Sequence, residues 1–171
     1  MNPEWFGDSY DIVKRFFCEA LRSQGYATYI EPLPTGSWNG TEEQFYRLLG
    51  VEHVRCHLPD QRPSALFIDP DIGIAERASK KHTTLSRIVQ ELLKHQIVWV
   101  FDQSFSRSAD PHEQMLAKLI QLRSMGGYGC YYDSHAKFLF VGHSQQEVGA
   151  VAENFFSYGL PRSRMLFPNG T

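Results

Sequence analysis

Two short apolar runs constrain this chain more than anything else in it. Ala65-Leu66-Phe67-Ile68 and Ile97-Val98-Trp99-Val100-Phe101 carry no polar residue, and each stops on an aspartate, Asp69 or Asp102. Runs of this length, closed by a turn signal, read as strands with both faces covered. Such strands belong in the interior of a parallel sheet with helices on either side. Pro70 has no N–H for a ladder, so the first strand must end there, inside Asp69-Pro70-Asp71. Open α/β sheets bind their ligands at the carboxyl ends of strands. Asp69, Asp71 and Asp102 are therefore expected at one sheet edge, in one cleft, with Gln103 and Ser104 following. Aspartate is also an ordinary turn residue; the position of both acids directly after buried strands favours a site.

The rest of the chain alternates in the same manner. Val13, Phe16, Phe17, Ala20 and Leu21 form one helical stripe between Asp8, a capping residue, and Gly25, a stop. That rotation leaves Asp11 and Lys14 together on the helix flank, with Lys14 expected to point toward the cleft; a surface ion pair is the plain alternative. Tyr26 to Ile30 reads as a strand. It runs into Glu31-Pro32-Leu33-Pro34-Thr35-Gly36-Ser37-Trp38-Asn39-Gly40, a long loop of the kind that often binds ligands. Thr41 with Gln44 forms a capping-box pattern ahead of a short helix. Glu52 to Leu58 alternates as a strand does, with His53 and His57 facing solvent. Lys80, Lys81 and His82 make a small basic cluster. Thr83 or Thr84 caps a helix carrying Leu85, Ile88, Val89, Leu92 and Leu93, and Asp110-Pro111-His112-Glu113 opens another. Tyr128–Tyr132 and Lys137–Val141 form an antiparallel hairpin around Ser134 and His135. A helix from Ser144 to Tyr158 and an edge strand from Arg164 to Phe167 complete the chain. The order implies one domain over residues 1–171: a three-layer α/β sandwich with a mostly parallel, Rossmann-like sheet.

Composition narrows the partners. No apolar run in the 171 residues reaches the length of a membrane span, and the N-terminus lacks a signal-peptide pattern. Three separated cysteines point to a reducing, cytoplasmic setting. With a net charge of -2 there is no global attraction to nucleic acid, so a nucleic-acid substrate needs a local basic patch.

Gly7-Asp8-x-x-Asp11-Ile12-Val13-Lys14 resembles the Gly-Asn-x-x-Asp-apolar-apolar-Lys opening of the large-subunit ribosomal RNA adenine-N6 methyltransferases. In that family a strand ending in a glycine-containing loop binds S-adenosylmethionine. A later strand ends in Asp-Pro-Pro-aromatic, whose acid and proline carbonyl hold the target amine. Here Glu31 to Gly36 and Asp69-Pro70-Asp71 occupy those places in order, over the first half of the chain, with Asp71 and Ile72 replacing the second proline and the aromatic. The resemblance implies an enzyme acting on nucleic acid or a nucleotide. It makes Asp69, Asp71, Asp102 and Lys14 catalytic candidates, and Asp8, Asp11, Glu31, Thr35, Gly36 and Ser104 cofactor contacts. The same acids are similar to a second set. Glu31 at one strand end with Asp69-x-Asp71 at a later one looks like the metal site of Toprim nucleases, in which carboxylates would hold Mg²⁺. Asp-x-Asp after an apolar strand also resembles the haloacid-dehalogenase phosphotransferases. A non-enzymatic binding or inhibitor domain on the same scaffold is the third reading.

Overall fold

A computed structural model describes residues 2–57 and 62–168. Within them the fully apolar runs are central strands. The main sheet contains β1 (Ala27–Pro32), β2 (Glu52–His53), β3 (Ser64–Asp69), β6 (Ile97–Phe101), β7 (Tyr128–Tyr132), β8 (Phe138–Gly142) and β9 (Met165–Leu166). Its order is β2-β1-β3-β6-β8-β7-β9. The first four strands are mutually parallel; β8 pairs antiparallel with both β6 and β7, and β9 antiparallel with β7. The hairpin expected at the C-terminus is thus built into the sheet, with β8 rather than β7 against β6. A second, two-stranded parallel ladder, β4 (Gly73–Ile74) with β5 (His82–Thr83), lies outside the sequence-based expectation. Two residues are too few for an alternation pattern to register.

Helices α1 (Ser9–Ser23), α2 (Glu42–Leu49) and α5 (Gln145–Ser157) contribute to one core, while α3 (Leu85–Glu91) and α4 (Pro111–Ser124) contribute to the other. This is the three-layer arrangement that the alternation implies. On the first face Phe17 of α1 is fully buried among the rings of Trp99, Tyr132, Phe138, Phe140 and Phe155. On the second, Ile88, Met115, Leu119 and Leu122 cover Leu66, Val98 and Leu139. Removing this apolar area from water, worth about 25 cal/mol per Å², drives the layering.

Local expectations fared unevenly. Asp8 caps α1 as anticipated, accepting from the backbone N–H of Tyr10 and Asp11. Thr41 does not cap α2: its hydroxyl donates to the Trp38 carbonyl at 2.6 Å, so the capping-box pattern is spent on closing the preceding loop. The strand expected over Glu52 to Leu58 stops at His53, because Val54–Cys56 turns into a 3₁₀ helix capped by the His53 side chain; Leu58 lies outside the described residues. Cys18 and Cys130 are buried and Cys56 is exposed, none in a disulfide. No described helix is long and apolar enough to cross a membrane.

Candidate functional site

The chain leaves the neighbouring strands β1 and β3 toward opposite faces, through α2 on one and α3 on the other. A crevice opens at the carboxyl ends of strands where the winding diverges in this way. A cavity of ≈ 430 Å³ lies there, within the range of about 300–1,000 Å³ usual for small-molecule sites. Asp69 ends β3 and Pro70 to Ile72 follow it, Phe101 ends β6 with Gln103 just beyond, and Tyr10, Asp11 and Lys14 come from the start of α1 with Asp8 as its cap. Asn2 and Trp5 stand at its N-terminal side, and Trp38 and Phe45 form a wall.

A buried ion cluster is its centre. Lys14 Nζ lies 3.0 Å from Asp11 Oδ1 and 3.2 Å from Asp69 Oδ2, and all three side chains are nearly inaccessible. Asp11 Oδ2 accepts from the Gly7 N–H at 2.8 Å, which fixes its rotamer. Lys14 and Asp11 therefore form no surface pair: the cation reaches into the cleft, and the rings of Phe45 and Phe101 lie 5.5 and 5.4 Å from it. Burial works to strip the Lys14 ammonium of its proton, but Asp69 and Asp11 outweigh it and raise its pKa. Burial also raises the pKa of Asp11, against the pull of Lys14 and the Gly7 hydrogen bond. Asp69 is fully buried, and while its Oδ2 meets Lys14, its Oδ1 has no hydrogen-bond partner.

Asp71 lines the same cavity, with Lys81 Nζ 3.9 Å from its Oδ2. Asp102 does not line it. The expectation that it would join Asp69 and Asp71 in one cleft is corrected by strand parity. Ile68 pairs with Val100, so Asp69 stands level with Phe101; Asp102 is one residue further and points to the opposite face. There it accepts from Lys118 Nζ at 2.6 Å, Tyr131 OH at 2.7 Å, and the Ile74 and Ser104 N–H groups. Ser104, also expected at the cleft, belongs to this network, with its hydroxyl shared between Asp102 and Lys118. Glu31 is displaced for the same reason. It pairs with Ile68, on the far face, and forms an ion pair with Arg87 of α3. The three-carboxylate set Glu31, Asp69 and Asp71 is thus split by the sheet, and no group of three such ligands converges among the described residues. Thr35 and Gly36 lie outside the cavity lining, with Gly36 backed by Asn2 and Pro3.

The aromatic walls were not foreseen. Trp38 is 4% exposed, its ring 5.4 Å from Phe45 and 6.2 Å from Phe6. A tryptophan between Gly36 and Gly40 in a long loop is the signal that could have singled it out. Tyr10 stacks on His135 at 5.5 Å, which brings the β7–β8 hairpin tip beside the site, and Gln103 Nε2 donates to the His135 carbonyl.

Comparison with protein-family models, curated proteins and solved structures gives no match.

Proposed function

We propose that this chain is a methyltransferase-like enzyme that uses S-adenosylmethionine and holds the amino group of a nucleotide or nucleic-acid substrate against Asp69. The observation that carries the reading is the bare Oδ1 of a fully buried carboxylate at the end of β3. A buried acceptor without a donor costs about 1–3 kcal/mol, which a ligand N–H recovers. Lys14 Nζ holds the other oxygen at 3.2 Å, which leaves Oδ1 to the ligand. Support for the cofactor comes from the lining: four carboxylates against one ammonium, within aromatic walls, suit a positively charged group. S-adenosylmethionine, when bound, supplies a methyl group carried on a positively charged sulfur. Asp8 and Asp11 are the candidates to meet it, while Asp69 orients the acceptor amine and the rings of Trp38, Phe45 and Phe101 keep water out.

Thermal shift and calorimetry with S-adenosylmethionine, its demethylated product, Mg²⁺ and Mn²⁺ test this. A ligand present at a hundred times its Kd adds about 2.7 kcal/mol. For a chain of this length that is a rise of roughly 5–10 °C in Tm. S-adenosylmethionine should give it and the metals should not. Asp69→Ala should abolish transfer, while Asp71→Asn and Glu31→Gln leave cofactor binding intact. Stabilisation by Mg²⁺ that is lost in Asp71→Asn, or no response to S-adenosylmethionine, refutes the reading.

A further inference from the structure

Besides Asp69 Oδ1, a second polar atom of the cavity lining is buried without a partner: the indole Nε1 of Trp38. Trp99 has a bare indole N–H as well, but its ring lies fully inside the core, stacked 3.9 Å from Phe67, where no ligand reaches. Trp38 differs in being part of the cavity lining. Nothing in its packing requires a polar ring, since its neighbours Phe6 and Phe45 are apolar. Its loop is nevertheless built to hold it: the Trp38 carbonyl accepts from both the N–H and the hydroxyl of Thr41, at 2.9 and 2.6 Å. An indole N–H is a donor only, and an ionised carboxylate an acceptor only. Among the described residues, the cavity lining therefore holds one buried donor and one buried acceptor without a partner, each from a side chain more than nine-tenths buried.

We infer that Trp38 is a specificity-determining residue and that the ligand presents an acceptor beside its amino group: N–H to Asp69 Oδ1, ring nitrogen to Trp38 Nε1. This rests on the proposed role of Asp69 and narrows its substrate. Away from the sugar edge, an amino group flanked by an acceptor ring nitrogen is found on adenine and on cytosine. A base with a carbonyl in place of that amine sets an acceptor against the Asp69 carboxylate and is rejected, because both groups are then left buried and unpaired.

Calorimetry on the full chain tests the inference with adenosine and cytidine, with the 1-deaza and 7-deaza analogues of adenosine and the 3-deaza analogue of cytidine, and with inosine and uridine. Wild type should bind adenosine or cytidine, and bind inosine and uridine at least about tenfold more weakly, one lost hydrogen bond being worth about that factor. Trp38→Phe keeps a ring against Phe6 and Phe45 but deletes the donor, and should weaken the preferred nucleoside about tenfold. The deaza analogue that lacks the contacted nitrogen should bind wild type as weakly as the natural nucleoside binds Trp38→Phe, and lose nothing more in that variant. Such non-additivity marks a direct contact. Should Trp38→Phe fold poorly, the indole signals of wild type decide by NMR. One of the three tryptophan N–H resonances should move downfield with adenosine or cytidine and stay in place with the corresponding deaza analogue. Additive losses, binding by Trp38→Phe equal to wild type, or no nucleoside binding at all overturns the inference. Trp38-dependent nucleoside binding without a response to S-adenosylmethionine leaves the inference standing and removes the methyltransferase reading. Methyl transfer unaffected by Trp38→Phe does the reverse.

Discussion

Lys14→Met takes away the cation between two buried acids and keeps most of the side chain's bulk. Asp11 Oδ1 and Asp69 Oδ2 lie 3.0 and 3.2 Å from Nζ, and neither side chain is more than 5% exposed, so solvent cannot replace the ammonium. The ammonium end of Lys14 lies 5.5, 6.0 and 5.4 Å from the rings of Phe45, Phe67 and Phe101, and the apolar end of Met fills that space. Breaking a buried ion pair from one side costs about 3–5 kcal/mol, because the remaining charge is left unpaired. Against a total stability of about 5–15 kcal/mol the variant still folds. Its Tm should fall by on the order of 10 °C at pH 7. The pH dependence identifies the cause. Without Lys14, burial raises the folded-state pKa of Asp11 further above its unfolded value, because the opposing pull of the ammonium is gone. A raised carboxyl contributes stability that is complete below its unfolded pKa and is lost as pH rises through the folded value. The deficit of Lys14→Met should therefore shrink as the pH is lowered from 7 to 5. In wild type the raised pKa of Lys14 works the other way round the scale: its contribution is complete below the unfolded lysine value and disappears only in the alkaline range. Thermal melts of both proteins at pH 5, 6, 7 and 9 are the assay. A Tm at pH 7 equal to wild type, or a deficit at pH 5 as large as at pH 7, refutes the argument.

Two further outcomes concern groups outside the cavity. Asp102→Asn should lower stability by about 2–3 kcal/mol, because an amide NH₂ faces donors that the second carboxylate oxygen now accepts. Urea unfolding measures the loss, and an unchanged affinity for S-adenosylmethionine in the same variant would separate this network from the cavity; an Asn variant as stable as wild type contradicts it. His95 is buried, and its Nδ1 lies 2.9 Å from Ser64 Oγ; burial, with His57 beside it, lowers its pKa to about 4. The unfolded chain then binds the extra proton first, so stability is complete above the ordinary histidine value of about 6.5 and drains away as pH falls toward 4. Tm measured from pH 7 to pH 4 should drop less in His95→Gln than in wild type, and parallel curves would show that another group controls the acid limb.

The sequence by itself determined the layers and the sheet edge that carries the site. Apolar runs closed by Asp69 and Asp102 could be satisfied only by central strands, and the stripe on α1 committed Phe17 and Leu21 to the core. It also placed Lys14 toward the cleft, since a helix's rotation follows from its buried face. Tertiary structure alone decided which acids meet. Glu31, Asp69 and Asp102 all stand at strand ends, yet only the middle one faces the cavity, because strand register sets the facing and side chains alternate with a period of two. A shift of one residue in pairing would exchange them, and nothing local to those strands encodes the pairing. Trp38 was beyond reach for a related reason: its role depends on lining the same cavity as Asp69, 31 positions further along the chain, and on an indole N–H that the fold leaves without a partner. Residue chemistry is written in the sequence, but an unsatisfied hydrogen bond is a property of the assembled neighbourhood.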